Sequence, residues 1–285
     1  MNRFHGFRNS LAAGIALLAM VWSGTALSQN TVSEDFTGSG TNNNWYYFSG
    51  ACLTAGTSTG GTNPGQIPSC LSIASSYYFQ QHVSYEPGDA ALVGGKNGVY
   101  GNATTLPDPV GSGALRFTNG NCSPSACGYG EHGAIVSANP FDAGQGVQIT
   151  FKTVTYRGDS GGTGQDGADG MSFYLLDGSV SPTNGLWNGI GSWGGSLGYS
   201  CSNTNPPYDG LIGAYLGLGI DEFGNFLNQG DNTAAGYGYV PGRIGLRGNG
   251  NVSWAYLNAT YPSNYPSTLT AAQQQAAVQA TCSTG

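Results

Sequence analysis

Leu216-Gly217-Leu218-Gly219-Ile220-Asp221-Glu222-Phe223-Gly224-Asn225-Phe226-Leu227-Asn228-Gln229-Gly230-Asp231 begins as a strand and ends as a loop rich in oxygen ligands. Extended back to Ile212, the strand alternates Ile212, Ala214, Leu216, Leu218 and Ile220 with Gly213, Tyr215, Gly217, Gly219 and Asp221. Successive strand side chains point to opposite faces, so this is the period of a sheet with one face in a core. Asp221 therefore stands at the strand end, on the face opposite the aliphatic side chains. The loop then supplies Asn225 and Asp231, hard oxygen groups that suit calcium better than a softer metal. A polar strand end with an Asx-rich turn is the plainer account of the same residues. Taken alone, the segment favours it.

Two stretches upstream change that balance. Gly167-Ala168-Asp169-Gly170-Met171-Ser172-Phe173-Tyr174-Leu175-Leu176 sets an Asp among small residues at the mouth of an aromatic strand. An exposed Asp there can accept hydrogen bonds from two vicinal hydroxyls. Trp193-Gly194-Gly195-Ser196-Leu197-Gly198-Tyr199 offers bare backbone amides that a ligand can approach closely. An Asp acceptor, glycine amides, an Asn held by a cation and an aromatic face together make a sugar site. Its polar groups read hydroxyl geometry while a ring takes the apolar face of a pyranose. Asp169 can also simply cap a turn, but the three motifs together favour the sugar ligand. Trp187 and Trp193 are as readily core as platform.

The surrounding chain holds 49 Gly and 17 Tyr in 285 residues and is 8% charged. That composition belongs to a tightly turning extracellular sheet protein rather than to a disordered one. Arg3 and Arg8 precede an apolar run from Leu11 to Trp22 that is too short to span a bilayer, and Ala26-Leu27-Ser28 offers a small-residue cleavage site. Residues 1–28 thus read as a signal peptide. No later segment is apolar for long enough to insert in a membrane. Cleavage removes both arginines and no acid, taking the formal charge from −7 to −9. Neither nucleic acid nor anionic lipid is then expected as the main partner, since each rewards a basic surface. Six cysteines in an exported chain suit disulfides. Spacing favours Cys52–Cys70 and Cys122–Cys127 as local loops and leaves Cys201–Cys282, although six cysteines allow many other pairings. Zinc is the rival, but there is no Cys-x-x-Cys pair and His5, His82 and His132 are scattered.

Strands are predicted at 31–36, 45–48, 114–118, 133–137, 146–157, 171–176, 196–200, 211–221, 243–247 and 252–257, with weaker ones at 75–79 and 91–93. Residues 146–157 form the longest, β-branched and aromatic with no Gly or Pro after its start. Residues 50–113, rich in Gly, Ser, Thr and Pro, read as long disulfide-tied loops. Only 268–280 reads as a helix, with Ser267 or Thr270 as its cap. Short strands between glycine turns, without alternating helices, mean a two-sheet sandwich. The chain stops straight after the helix with no closing element, and the expectation is a front part of a longer polypeptide.

The order Ala168-Asp169-Gly170, Gly194-Gly195-Ser196-Leu197-Gly198, Ile220-Asp221-Glu222-Phe223-Gly224-Asn225 and Arg243-Ile244-Gly245-Leu246-Arg247 resembles the bacterial L-type (legume-like) lectins. The resemblance covers roughly the second half of the mature chain; each motif is weak alone and the ordered set is specific. More narrowly, SEDFTG at 33–38, WYYFSGACLTAG at 45–56, ALRFTNG at 114–120, TYRGDSGGTGQDGADG at 155–170 and PGRIGLRG at 241–248 are similar to the N-terminal region of PilY/PilC-type proteins of type IV pilus tips. The resemblance implies an all-β, two-sheet concanavalin A-like jelly-roll sandwich over 29–265, with long disulfide-tied loops, and a short C-terminal helix as connector over 266–285. It implies sugar contacts by Asp169, Gly194, Gly195, Phe223 and Asn225, and one calcium ion held by Asp221, the Phe223 carbonyl, Asn225 and Asp231. Two departures matter. The family's Glu two residues before the strand-end Asp is Gly219 here, and its His opening the later strand is Arg243. Both losses fall on a transition metal, so no manganese is expected, with Arg243 filling the space as a fixed cation. Asp231 is also one residue late, which leaves Asn228 or Asn232 as its replacement.

Glycoside hydrolases share this sandwich, so fold does not settle function. Retaining hydrolysis needs two carboxyls roughly 5 Å apart, whereas Asp221 and Glu222 are strand neighbours pointing to opposite faces. Gly219 also removes the Glu-x-Asp-x-x-Glu pattern of sandwich glucanases. Glu131 beside His132 has no visible partner, and neither a nucleophile elbow nor a zinc-protease signature is present. The acidic loop 159–169 fails as an EF-hand because Gly170 stands where a bidentate Glu belongs. Asn102, Asn121, Asn251 and Asn258 open sequons that an Asn/Ser/Thr-rich chain produces by chance. The sequence therefore points away from an enzyme. It points to calcium-dependent carbohydrate binding by a secreted or surface-displayed adhesin module, with a glycan or polysaccharide and other pilus or cell-surface proteins as partners. A hydrolase on the same fold and a structural domain with a decayed sugar site are the alternatives.

Overall fold

The computed structural model describes residues 32–70, 72, 108–118, 122–123, 126–127, 132–144, 146–155, 168–180, 189–227, 239–250 and 252–284. In chain order its strands are β1 (Trp45–Ser49), β2 (Cys52–Leu53), β3 (Leu115–Arg116), β4 (Cys122–Ser123), β5 (Ala126–Cys127), β6 (Gly133–Ser137), β7 (Gly170–Leu176), β8 (Ala214–Asp221) and β9 (Arg243–Arg247). Helices α1 (Trp254–Thr260) and α2 (Ala271–Thr284) follow. The sheets are small and antiparallel: β1 with β6, β2 with β3, β4 with β5, and a three-stranded sheet in the order β7-β8-β9. The protein is thus mostly β with a short C-terminal helix; among the described residues no two-sheet sandwich or jelly roll is seen. The signal-peptide segment 1–28 and the weak strands at 75–79 and 91–93 lie outside the described residues.

The register of the three-stranded sheet explains where the core sits. Ser172 pairs Gly219 and Gly219 pairs Gly245; Tyr174 pairs Gly217 and Gly217 pairs Arg247; Gly170 pairs Asp221 and Asp221 pairs Arg243. These residues share one face, and rings from loops pack onto its glycines. A Cβ at Gly217 would lie 2.7 Å from Tyr199, one at Gly219 2.3 Å from Phe226, and one at Gly245 2.7 Å from Leu227. Tyr199, Leu211, Ala214 and Phe226 form the buried cluster there, with Tyr174, Leu176, Leu197 and Leu227 against it. The glycine face is the packed one. The aliphatic face is open at its β9 side, where Ile244 is 71% and Leu246 62% exposed. Burial pushes the Tyr199 phenol up to about 12 against a lowering influence of Arg247, so it stays protonated and donates to the Gly248 carbonyl.

Several predicted elements differ. Residues 32–36 are not a strand; side chains hold this segment, with Glu34 accepting from the Asn42 and Asn43 amides and Asp35 from the Thr37 amide. Residues 146–155 have no ladder partner among the described residues and are exposed throughout. Their side chains reach β7: Phe151 stacks on Phe173 at 5.6 Å and Thr153 Oγ1 donates to Met171 Sδ. Propensity makes a strand available, but a backbone partner is what forms one. Residues 196–200 turn rather than extend, because Leu197 and Gly198 both take positive φ. Residues 252–257 lead into α1 instead of a strand. Ser253 caps it by accepting from the Tyr256 amide, and Asp209 Oδ1 takes the Trp254 amide. Such caps satisfy donors that a helix start leaves without partners. Within α1 the Asn258 amide donates to the Tyr265 carbonyl at 2.6 Å.

Disulfides Cys52–Cys70 and Cys201–Cys282 form as the spacing suggested, the β4–β5 register pairs Cys122 with Cys127, and no described cysteine is free. A capping box starts α2: the Thr270 amide donates to Gln273 Oε1 while Gln273 N donates to Thr270 Oγ1. The helix is fastened by Cys282, by Gln279 Nε2 on the Asn203 carbonyl and by buried Val278. No helix among the described residues is long and apolar enough to cross a membrane.

Asp209 carries a pH signature. Burial raises its carboxyl above the usual range, partly opposed by the Trp254 amide. A folded value above the unfolded one means that the folded state holds its proton longer, so stability falls as pH rises between the two values and the penalty is complete above the folded one. Asp209→Asn keeps the acceptor for Trp254 and removes the charge. The Tm of this variant should exceed that of wild type at neutral pH and converge with it in acid. A constant Tm difference across the titration would refute the assignment.

Candidate functional site

β8 ends at Asp221, which is 1% exposed. Its two oxygens close the next turn: Oδ1 accepts the Gly224 amide and Oδ2 the Phe226 amide, both at 2.7 Å. The carboxylate thus wraps the chain around itself and fixes Asn225 between its two amide donors. Gly224 sits at φ +102° against the backbone of Val240 and Pro241, where a side chain would be both strained and blocked. The Glu222 and Phe223 amides donate to the Asp169 carbonyl at 3.0 and 3.2 Å. On the other side, the Val240 and Gly242 amides donate to the Gly224 and Glu222 carbonyls. Arg247 completes the frame. Its Nη1 donates to the Phe226 carbonyl at 2.6 Å while its guanidinium lies 5.6 Å from the centre of the Phe226 ring.

The glycine motif arrives as a single 3-10 turn, Gly194–Ser196, tied to β7 by Ser172 Oγ donating to the Leu197 carbonyl. Gly195 is buried against Asn225: a Cβ there would lie 2.1 Å from Asn225 Oδ1. Only glycine permits that approach. Asn225 is itself 7% exposed, and its Oδ1 is buried without a hydrogen-bond partner among the described residues. Such an oxygen is unfavourable unless a donor or a cation meets it.

The structure therefore brings Asp169, Gly194, Gly195, Asp221, Phe223 and Asn225 around one turn. Asp231, with its substitutes Asn228 and Asn232, lies outside the described residues, as does Trp187. Arg243 stands opposite Asp221 in the ladder, with Nε 3.9 Å from Oδ2. Trp193, the residue before the 3-10 turn, is half-buried and stacks on His132 at 4.2 Å, while Phe223 meets Tyr239 edge-on at 5.0 Å. The sequence reading missed Arg247, Ser172 and the 240–242 brace. Arg247 was findable, because it lies four residues after Arg243 and so shares its face. The brace had no signal, since its bonds are made by backbone amides.

A calcium ion needs about six to eight oxygens. The described residues offer an orphaned amide oxygen, a carboxylate whose oxygens keep further lone pairs, and the Phe223 carbonyl. Their chemistry fits a hard cation. No group of three or more His, Cys, Asp and Glu able to hold a metal occurs among the described residues.

Comparison with protein-family models, curated proteins and solved structures finds no match to this chain.

Proposed function

We propose that this chain is a calcium-dependent carbohydrate-binding module of the L-type lectin kind. In this reading it is exported and displayed by an adhesin on a bacterial surface, the narrower setting being a type IV pilus tip. The β7-β8-β9 sheet is then one layer of a concanavalin A-like jelly-roll sandwich. The observation that carries the proposal is the buried Asn225 Oδ1, which meets no donor among the described residues while lying against Gly195 on a turn shaped by Asp221 and bonded to Asp169. Asp221, the Phe223 carbonyl, Asn225 and Asp231 would hold the ion, whose positive charge would fix the Asn225 oxygen. Asn225 Nδ2 and the Gly195 amide then present donors to a sugar hydroxyl, the Asp169 carboxylate accepts from two more, and Phe223 supplies an apolar surface. Gly219 and Arg243 leave no ligands for a second, transition-metal ion. The disulfides fit an oxidising compartment.

Glycan-array binding with and without chelator is the test. Binding should vanish in chelator, and Asp169→Ala should weaken it on the order of 10–100-fold, the range expected for lost hydrogen bonds to a charged acceptor. Binding indifferent to both treatments overturns the proposal. Release of reducing ends from a polysaccharide would replace it with hydrolysis. A folded protein that binds no glycan would leave a structural domain.

A further inference from the structure

Asp221 and Arg243 are both largely withdrawn from water, 1% exposed for the acid and 16% for the guanidinium side chain. Nε and Nη2 of Arg243 are buried without a hydrogen-bond partner among the described residues, and Nε lies 3.9 Å from Asp221 Oδ2. That uncommitted edge is the fork with which arginine pairs a carboxylate. Lone desolvated ions are strongly unfavourable, so buried charges persist in opposed pairs. The same carboxylate gathers the Gly224 and Phe226 amides that hold Asn225 between them. We infer that Arg243 is the built-in counter-ion of Asp221. It keeps the 221–226 turn closed with no metal bound, and it weakens the binding of any divalent cation that shares Asp221. The second half rests on the calcium reading above; the first does not. A divalent ion at Asp221 stands close to a fixed positive charge in a site where salt screens poorly.

Thermal unfolding of wild type and Arg243→Gln, each in chelator and in excess calcium chloride, tests both halves. In chelator the wild type should unfold cooperatively, and the variant should lose roughly 10 °C because Asp221 is left buried alone. Calcium should restore more of the variant's Tm than it adds to the wild type. The calcium Kd measured by calorimetry should tighten about tenfold or more in the variant. Equal Tm values in chelator overturn the counter-ion. Should Arg243→Gln fail to fold, Arg243→Lys restores the positive charge and leaves both Asp221 oxygens on their amides. A lysine variant that folds supports the pairing, and one that fails like glutamine overturns it. A calcium Kd unchanged by Arg243→Gln overturns the competition. No calcium effect on either protein, with the chelator difference intact, overturns the calcium reading and leaves the counter-ion standing.

Discussion

Replacing Cys201 and Cys282 together by serine is expected to lower the unfolding free energy by about 4 kcal/mol, a fall in Tm of roughly 10 °C. The bond closes 81 residues of sequence, which include β8, β9 and α1. In the unfolded chain that closure removes conformations, and its benefit grows with loop length. In the folded chain both cysteines are buried, and Cys201 lies next to the 3-10 turn: Ser196 Oγ donates to its carbonyl at 2.9 Å. The effect should therefore reach beyond α2. Amide exchange is expected to rise first in α2 and then at Gly194–Ser196. Urea unfolding of the double serine variant under oxidising conditions measures the energy. A midpoint indistinguishable from wild type would mean that non-covalent contacts, among them Val278 and the bonds of Asn203 to Gln279 and Ser283, hold the helix.

Phe226→Ala should be nearly as damaging, at about 3–5 kcal/mol. The ring is fully buried, fills the space above Gly219, meets Tyr199 edge-on at 6.2 Å and lies beside the Arg247 guanidinium. Its loss opens a cavity above Gly219, beneath the turn that carries Asn225. Phe226→Leu, which keeps most of the volume, should cost less than half as much. Chemical denaturation of the three proteins gives the series. If alanine and leucine behave alike, the ring is not the keystone of this face.

Strands β8 and β9 were legible because a period of two survives in residues such as Leu218-Gly219-Ile220 and Ile244-Gly245-Leu246. The place of Asp221 at a strand end, opposite the aliphatic face, was legible for the same reason. Which face packs was not. Alternation says only that two faces differ, whereas the rings on the glycines come from Tyr199 and Phe226 in loops that periodicity does not describe. α1 was misread because Val252, Trp254 and Tyr256 alternate like a strand. Ser253 was the overlooked cap. Residues 146–155 show the reverse case, where strong β propensity in Val147, Ile149 and Phe151 meets no ladder partner among the described residues. The Gly195–Asn225 approach was anticipated only as a shared site. The motifs name its members but not that one lies directly over the other.

The bond between α2 and Cys201 also decides how tension travels through the protein. A pull on the C-terminal helix passes through sulfur into the segment that carries the glycine turn and bypasses the hydrogen bonds of α1. Force applied at that end thus arrives beside Gly195 before the sheet has to shear.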